Sequence, residues 1–401
     1  MRTSWLTLLC FGGISLDDTL AFSKKDTMKV IREWKYIDYS YPTKEQKESA
    51  IKSGEYNHSN CFPIDVDQWH EKTFVTVIRD VGVPSSLNVV SKKVGDGGPL
   101  LLPYPNWSWT KTDTCDGIIS VYRVAIDRCD RLWVIDNGII GSNRICPAKL
   151  LAFHLPTSRL LEKVTIPDKV ARNSTTGNGL LITPIVETYG QRCEITKVYI
   201  SDVEGYGIIV YDGLAFRRLT SAAVVYDPKA TNYTIKGQSF ALKDGPVGMA
   251  FSPFTKNLYY SPMSSYDMNI LHTRSVFAPG HSNYRFSENK HILPTQASAK
   301  AMSSSGILFF GLVNSTSIGC WNESKLLKRK NFDFVAVNDQ TLQFTSGMKV
   351  KNRRGREELW ALSNRYQKIA TGTMNFEEVN FRILTGHVNR LIEGTLCQAK
   401  Y

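Results

Sequence analysis

One recurring pattern constrains the fold of this chain more than any other feature: an apolar strand, a polar turn and a second strand with a central aromatic residue. Its clearest copy is Ser120–Gly138, SVYRVAIDRCDRLWVIDNG, in which Trp133 is the central aromatic residue. The pattern occurs six times, at intervals of 50 to 66 residues between central aromatics. The central residues are Phe74, Trp133, Tyr199, Tyr259, Phe309 and Trp360. A period of this length indicates an architecture built from similar units.

Each copy has the composition of a β-hairpin, because β-branched and aromatic residues flank turn residues. Further strand-like runs separate the copies, such as Lys149–Ile166 (KLLAFHLPTSRLLEKVTI) and Gly207–Thr220 (GIIVYDGLAFRRLT). About four strands per copy is the repeat unit of a β-propeller, in which each blade packs against its neighbours. The sequence therefore predicts an all-β fold, a six-bladed β-propeller.

The ring of a propeller must close, and both ends of this chain contain a strand that can close it. Val30–Tyr41 (VIREWKYIDYSY) indicates a strand near the N-terminus, and Glu378–Gly386 (EVNFRILTG) indicates one near the C-terminus. We predict that these distant segments pair and close the ring. Helix is scarce, and the best candidate is Thr43–Gly54, with Thr43 as N-cap and Gln46 completing a capping box.

Two residues of the hairpin Ser120–Gly138 can be interpreted as structural or as functional. We predict that Trp133 is a core aromatic between blades, because large aromatic residues in strands are mostly buried. We predict that Asp136 accepts hydrogen bonds where the strand ends, in preference to holding a metal ion.

The first residues, MRTSWLTLLCFGGIS, have the features of a secretory signal peptide. Arg2 supplies a positive charge, Trp5–Ile14 is a short apolar run, and small residues follow it. We predict a signal peptide over residues 1–16 and a single propeller domain over 17–401. No later stretch approaches 18 apolar residues, so the sequence predicts a secreted, extracellular protein without a membrane span.

The cysteines and the glycosylation sequons agree with secretion. Seven cysteines follow the predicted signal peptide, without the C-x-x-C spacing of zinc sites. Scattered cysteines in secreted chains usually pair, and an odd number leaves one over. Six N-x-[ST] sequons predict a glycoprotein whose modified residues lie on the surface. The sequons are at Asn57, Asn106, Asn173, Asn232, Asn314 and Asn322.

The formal net charge is +12, and one dense basic run, KVKNRRGRE, occupies Lys349–Glu357. We interpret this run as a solvated surface loop in preference to a polyanion site. A basic secreted protein can still associate with an acidic partner. No segment has the pattern of a nucleic-acid module, so we predict no nucleic-acid partner.

Four long stretches carry a family resemblance: Ser53–Trp109, Cys129–Gly138 (CDRLWVIDNG), Ile318–Arg329 (IGCWNESKLLKR) and Glu378–Leu384 (EVNFRIL). They resemble the major royal jelly protein branch of the Yellow family, and the resemblance extends from Trp34 to Cys397. It implies a secreted, glycosylated, six-bladed propeller. It also implies a gland product, such as a food protein or a venom component.

The resemblance also implies disulfide pairs. In related salivary Yellow proteins, the cysteine of the D-R-L-W motif pairs with one in the next blade, which here gives Cys129 with Cys193. The cysteine of the C-W-N motif pairs near the C-terminus, which gives Cys320 with Cys397. Cys115 and Cys146 are then left to form a third pair. Cys61, where relatives often carry Asn, stays unpaired and would permit a disulfide-linked dimer.

Salivary Yellow relatives of blood-feeding insects bind biogenic amines in the central channel. Hydroxyl and amide oxygens accept hydrogen bonds from an ammonium group, and aromatic faces attract cations. Val247 stands where the amine binders place an aromatic residue, and this departure weakens the implied site. The positions that match the amine-binding motif are Tyr122, Ser346, Asn364 and Tyr366.

Royal jelly proteins are further associated with sterol binding and with assembly around a small helical partner protein. The resemblance therefore implies a small-molecule ligand, a sterol or a biogenic amine, and either a homo-oligomer or a small helical partner. The sequence does not locate a sterol site, and it gives no reason to expect a cofactor.

An enzyme is the remaining class. Calcium-dependent lactonases are also six-bladed propellers, and they hold the metal with Glu, Asn and Asp. Asp127, Glu187 and Asn364 lie on the repeated hairpins, but acidic residues near strand ends are common. The sequence has no G-x-S-x-G nucleophile elbow and no H-E-x-x-H spacing. We predict a non-enzymatic gland product without catalytic or metal-binding residues; a dedicated amine-binding protein and a lactonase-like or dopachrome-converting enzyme are the alternatives.

Overall fold

A computed structural model describes residues 28–277 and 284–398, and the predicted signal peptide lies outside these ranges. The chain forms six four-stranded antiparallel sheets arranged as a six-bladed β-propeller, which confirms the predicted fold. Each sequence copy supplies the two inner strands of a blade, because its nearly continuous apolar runs suit a sheet that is covered on both faces. Within the described ranges, no helix is long and apolar enough to cross a membrane.

The N-terminal part of the described chain leads into blades 1 and 2. It begins with β1 (Lys29–Trp34), helix α1 (Lys44–Ser53) and a 3-10 turn at His58–Asn60. Blade 1 consists of β2 (Pro63–Trp69), β3 (Lys72–Val77), β4 (Leu87–Gly95) and β5 (Gly98–Pro103), followed by a 3-10 turn at Trp107–Thr110. The next strands are β6 (Val121–Ile126), β7 (Arg131–Asp136), β8 (Ile139–Ile140), β9 (Asn143–Arg144), β10 (Lys149–His154) and β11 (Arg159–Thr165). Blade 2 is β6–β7–β10–β11, and β8 and β9 form a small separate hairpin.

Blades 3 and 4 form the middle of the chain, with a second separate hairpin between them. Helix α2 (Asp168–Ala171) precedes blade 3, which consists of β12 (Leu181–Tyr189), β13 (Ile195–Asp202), β14 (Gly207–Tyr211) and β15 (Phe216–Leu219). Two 3-10 turns, Ala222–Val224 and Pro228–Ala230, lead to the hairpin of β16 (Asn232–Ile235) and β17 (Gln238–Ala241). Blade 4 consists of β18 (Pro246–Ser252), β19 (Asn257–Pro262), β20 (Asn269–His272) and β21 (Arg285–Ser287), with helix α3 (Thr273–Val276) after β20.

Blades 5 and 6 complete the ring. Blade 5 consists of β22 (Ala297–Met302), β23 (Ile307–Leu312), β24 (Ser317–Asn322) and β25 (Phe332–Val337), with a 3-10 turn at Arg329–Asn331. Then follow β26 (Phe344–Arg353), β27 (Arg356–Asn364), helix α4 (Tyr366–Ala370), β28 (Phe381–His387) and helix α5 (Val388–Ile392).

The two ends of the chain meet in blade 6, as predicted. Its strand order is β26–β27–β28–β1, so the N-terminal strand forms the outer edge of the last blade. Trp34 pairs with Phe381 across this junction, and both side chains are buried. The last sheet therefore combines a strand from the N-terminal part of the described chain with three strands from its C-terminal part.

The structure confirms the predicted roles of Trp133 and Asp136. Trp133 is fully buried in an apolar cluster that also contains Val198 and Ile209 of blade 3, so it joins two blades. Asp136 accepts hydrogen bonds from the backbone N–H groups of Ile119 and Ser120, both at 2.8 Å. The carboxylate therefore fixes the connection into blade 2.

The predicted N-cap of α1 is also present. The hydroxyl oxygen of Thr43 accepts a hydrogen bond from the backbone N–H of Gln46 at 3.2 Å. Gly54 ends the helix in the left-handed region, with φ of 79°, where a residue without a side chain is favoured.

Three disulfides join the pairs that the family resemblance implied: Cys115–Cys146, Cys129–Cys193 and Cys320–Cys397. Cys61 is free, but only 1% of its surface is exposed. Burial raises the pKa of its thiol to about 12, which suppresses the reactive thiolate. The expectation that Cys61 would permit a disulfide-linked dimer is therefore corrected, because the folded chain does not present this thiol.

The interpretation of Lys349–Glu357 as a solvated surface loop holds for the exposed residues 352–356 but was wrong for Lys349 and Lys351, which line the channel. The segment forms the turn-side half of the β26–β27 hairpin, and only its tip, around Arg354, is an exposed turn. Lys349 and Lys351 instead form ion pairs with Asp65 and Asp67 of blade 1, at 2.7 and 2.9 Å. Two of the five positive charges in this run therefore contribute to the contact between the last blade and the first.

The six sequons differ in exposure. Asn322 is only 5% exposed, its side-chain N–H donates to the carbonyl of Cys397 at 3.0 Å, and its side-chain oxygen accepts from the N–H of Ser324. Asn173 is half-buried. The exposed sequons are Asn57, Asn106, Asn232 and Asn314.

Candidate functional site

The central channel is the candidate site, because all six blades contribute their innermost strands to it. Hydrogen bonds link residues at equivalent positions on neighbouring inner strands. For example, the Thr183 hydroxyl on β12 donates to the carbonyl of Val247 on β18 at 2.6 Å. The inner strands therefore run in the same direction around the ring. We call the end of the channel where they begin the front face, and the end with the hairpin turns the turn face.

An apolar cluster rich in aromatic residues lies at the front face. Tyr122, Val247 and Tyr366, three of the positions implied by the resemblance, belong to one cluster there. Phe344 stacks on Tyr366 with 5.1 Å between ring centroids. We call this group of packed side chains, Tyr122, Val247, Phe344 and Tyr366, the front chamber.

The hairpin β16–β17 covers the front chamber. Phe240 packs edge-on against Tyr366 at 5.2 Å and stacks on Tyr233 at 5.1 Å. The side-chain N–H of Gln238 donates to the hydroxyl of Thr373, beyond α4, at 2.8 Å. The hairpin therefore extends from the blade 3–blade 4 connection to the loops of blade 6.

The sequence contains a signal for this hairpin that our sequence analysis missed. Asn232–Ala241 reads NYTIKGQSFA, two alternating runs on either side of Lys236 and Gly237. Both turn residues have positive φ, 50° and 76°, as a two-residue hairpin turn of type I′ requires.

The two other implied positions lie beside the chamber, deeper in the fold. Asn364 is 1% exposed and pairs with Phe344 across the sheet. Its side-chain N–H donates to the carbonyl of Pro63 at 3.2 Å, while its side-chain oxygen has no partner within the described residues. Ser346 is fully buried, and its carbonyl accepts a hydrogen bond from Arg123. The structure thus groups Tyr122, Val247 and Tyr366 at the chamber and places Asn364 and Ser346 in its wall.

One carboxylate, Asp244, accompanies the aromatic residues. Burial raises its pKa to about 6, and the negative charge of Glu204 acts in the same direction. Burial also raises the pKa of Tyr366 to about 12, and the charge of Asp244 contributes. At neutral pH the front chamber therefore combines aromatic rings with a mostly ionised carboxylate.

Arg123 separates the front chamber from the rest of the channel. Only 3% of its surface is exposed, and its Nη2 group donates to the carbonyl of Ser346 at 2.8 Å. Its Nε and Nη1 groups have no partner among the described residues. Burial lowers the pKa of this guanidinium, while the charges of Asp65 and Asp244, on its two sides, act against this effect.

A cavity of about 210 Å³ lies on the other side of Arg123, and we call it the turn-face cavity. All six inner strands line it. Asp65 is fully buried there, and burial raises its pKa, although the charges of Lys349 and Arg123 oppose this shift. The charged residues that line the cavity are Asp65, Asp67, Arg123, Lys300, Lys349 and Lys351.

The structure does not bring together the residues of the lactonase alternative. Asp127 and Glu187 lie near the turn face, at the ends of β6 and β12, whereas Asn364 lies near the front face. Asp127 already accepts hydrogen bonds from Arg131 at 2.7 Å and from the Trp133 indole at 2.8 Å. Over residues 28–277 and 284–398, no three His, Cys, Asp or Glu side chains cluster in a way that could hold a metal ion.

Sequence reasoning missed the charged residues of the channel. Lys300 lies in Ala297–Met302, ASAKAM, where one cation interrupts a run of small and apolar residues. Arg123 similarly interrupts the apolar strand VYRVAI. A single charged residue within an otherwise apolar inner strand is the sequence signal for such a position. Inner strands line the channel, which is the part of a propeller interior that can hold a polar group.

Comparison with known proteins agrees with the architecture. Residues 119–397 match the family model described as major royal jelly protein. Major royal jelly protein 9 of Apis mellifera is 52% identical over 388 residues, covering 94% of this chain and 91% of the relative. Major royal jelly protein 7 is 46% identical and covers 98% and 94%, and major royal jelly protein 1 is 46% identical and covers 94% and 91%, both from Apis mellifera. The chain therefore belongs to the major royal jelly protein family.

Proposed function

We propose that this protein is a secreted, glycosylated, non-enzymatic gland product that carries a small ligand in its front chamber. The observation that carries the ligand proposal is the lidded group of Tyr122, Phe344 and Tyr366 at one end of the channel. Concave, mostly apolar spaces with a few polar groups are typical of small-molecule sites. Two observations on the lactonase alternative support a non-enzymatic role. Asp127 already accepts hydrogen bonds from Arg131 and Trp133, and it lies at the opposite end of the channel from Asn364.

A biogenic amine is the ligand class favoured by the electrostatics of the chamber. Asp244 supplies a carboxylate that attracts an ammonium group, and its charge reaches both Tyr122 and Tyr366. Aromatic rings add attraction for the cation. Val247 offers only apolar contact, so we expect weaker binding than a complete aromatic cage would give. A sterol would use the same apolar surface without needing the carboxylate.

Calorimetric titration distinguishes these ligands. We expect serotonin, dopamine or octopamine to bind the wild-type protein, and Asp244→Asn to weaken binding about tenfold, since a hydrogen bond to a charged group contributes about 1.5–3 kcal/mol. Asn364→Ala should also weaken it. Asp339→Asn is the matched control and should bind normally, because Asp339 is an exposed carboxylate that pairs with Lys236 at the turn of the hairpin β16–β17.

The outcomes separate the alternatives. Binding of cholesterol that Asp244→Asn leaves unchanged would identify an apolar carrier. Absence of heat with every amine at micromolar protein would exclude the dedicated amine-binding function. Turnover of a lactone or of dopachrome that persists through purification and disappears with a chelator would overturn the non-enzymatic proposal.

The glycosylation part of the proposal makes a site-specific prediction. We expect glycans at the four exposed sequons and an unmodified Asn322, because a glycan there would displace its hydrogen bond to Cys397 and open the buried tail contact. Glycopeptide mass spectrometry of the native secreted protein measures each site. A glycan on Asn322 in folded protein, or unmodified residues at all six sequons, would contradict the prediction.

A further inference from the structure

The proposed function leaves one buried cation of the channel unexplained. Lys300 lies on β22 with 5% of its surface exposed, and its Nζ has no hydrogen-bond partner within the described residues. Burial lowers the pKa of its ammonium to about 7, and the positive charge of Arg123 acts in the same direction. A buried charge without a counter-charge destabilises a fold, so its presence calls for a role.

Arg123 lines the same cavity and also has free donors. Its Nη2 is used by the carbonyl of Ser346, but its Nε and Nη1 are unpartnered although the residue is 3% exposed. The two side chains therefore bring unsatisfied N–H groups to one enclosed space. Cationic donors of this kind are satisfied best by an acceptor that carries negative charge.

The remaining charges of the turn-face cavity do not supply that acceptor. The carboxylates of Asp65 and Asp67 are engaged by Lys349 and Lys351 across the contact between blades 1 and 6. Strands β12 and β18 line the cavity without any titratable side chain. When Lys300 is protonated, four cations thus face two carboxylates, which leaves an excess of two positive charges in the cavity, those of Arg123 and Lys300.

We propose that the turn-face cavity binds a small oxyanion, either a carboxylate or an inorganic oxyanion, between the guanidinium of Arg123 and the ammonium of Lys300. A guanidinium presents paired donors that match the oxygens of such an anion, and an ammonium adds a compact charge. The cavity volume of about 210 Å³ suits a ligand of this size. The site lies beyond Arg123 from the front chamber, so it does not rest on the proposed function.

Lys349 and Lys351 lie on the route to the site. Their side chains are 19% and 18% exposed, so solvent reaches this part of the channel. Positive charge that lines a cleft raises the local concentration of anions. We therefore expect the anion to enter from the turn face.

Binding of the anion should be linked to proton uptake. A negative charge beside Lys300 favours the ammonium form, which raises the pKa of this side chain above its value in the free protein. Above pH 7, where the free protein holds a largely neutral amine at this position, each anion should bring up to about one proton with it. Affinity should therefore fall as the pH rises from 7 to 9.

Isothermal titration of the full-length glycoprotein at pH 8 tests the proposal. Sodium sulfate and sodium acetate are the probes, because both stay fully ionised in this range, and two buffers of different ionisation enthalpy report the linked proton. We expect one saturable site for at least one probe, with proton uptake. The probe that binds distinguishes an inorganic oxyanion from a carboxylate.

Variants of Lys300 decide the location of the site. Lys300→Met should weaken binding at least tenfold and abolish the linked proton uptake, whereas Lys92→Met, at an exposed position on β4, should change neither. Lys300→Met should also raise the unfolding temperature, most strongly below pH 7, since it removes a buried ammonium that the unfolded chain solvates. Lys300→Gln provides a second variant with a polar side chain.

Two results would overturn the proposal. One is the absence of saturable heat from both probes at millimolar concentration with folded wild-type protein. The other is equal affinity and equal proton uptake in wild type, Lys300→Met and Lys300→Gln, which would place the anion elsewhere on this basic protein.

Discussion

Lys349→Met is expected to lower the free energy of unfolding by about 3–5 kcal/mol, because removing one partner of a buried ion pair leaves the other charge uncompensated. Asp65 is fully buried, and both of its oxygens accept hydrogen bonds from Lys349, at 2.9 and 2.7 Å. Urea unfolding monitored by tryptophan fluorescence measures the change. The loss should be greater at neutral than at acidic pH, because burial already raises the pKa of Asp65 and removal of Lys349 raises it further, so ionising this carboxyl costs more in the variant.

A double variant separates the cost of an unpaired charge from the loss of the lysine side chain. In Asp65→Asn with Lys349→Met, no carboxylate is left unpaired, so a substantial part of the stability should return. Lys300→Met, on the neighbouring inner strand, should have the opposite effect on stability. It removes a buried cation that has no partner among the described residues, so it should raise the free energy of unfolding. A change of less than 1 kcal/mol in Lys349→Met would mean that the pair behaves as an exposed one.

Removal of the disulfide Cys320–Cys397 is expected to have a similarly large effect. The bond closes a segment with a sequence separation of 77 residues, and the chain-entropy relation assigns about 4 kcal/mol to a loop of this length. Both cysteines are fully buried and belong to the cluster that also contains Leu391 and Met28. Cys320→Ala with Cys397→Ala should therefore also loosen the C-terminal helix α5.

The matched control for this prediction is the pair Cys115–Cys146. Its sequence separation is only 31 residues, and Cys115 is exposed. Replacing both cysteines should lower the unfolding temperature less than replacing Cys320 and Cys397 does. Proteolysis of the native proteins offers a second readout, since only loss of the C-terminal bond should expose residues 388–397. An equal or reversed order of unfolding temperatures would contradict the prediction.

Most of the architecture could be predicted because the strands and turns are indicated by local sequence patterns that recur along the chain. The hairpin around Trp133 and the other five copies can be recognised within about twenty residues, from two apolar strands on either side of turn residues. The pairing of β1 with β28 followed from a closure rule for rings, which needs no knowledge of side-chain contacts. The family resemblance supplied the disulfide pairs and the front-chamber positions, which spacing alone would have left open.

The channel chemistry could not be predicted in the same way, because it depends on residues that meet only after the ring closes. Lys349 and Asp65 are separated by 284 positions, and no local pattern relates them. The basic run therefore resembled a solvated loop, although two of its five cations line the channel. The burial of Lys300 could not be predicted from the sequence either. A lysine in a strand is ordinarily exposed, and this one is buried because the closed ring directs it into the channel.

The shared last sheet has a consequence for how the protein is made and handled. The backbone groups of β28 are covered by a strand that lies at the opposite end of the chain. A cut after Trp34 would leave this edge free while the other five blades stayed intact. Exposed sheet edges recruit strands from other molecules, so a nicked molecule could accept the first strand of an intact neighbour. Chains of such exchanged strands would grow from otherwise well-folded rings, which makes the integrity of β1 a safeguard against polymerisation at high protein concentration.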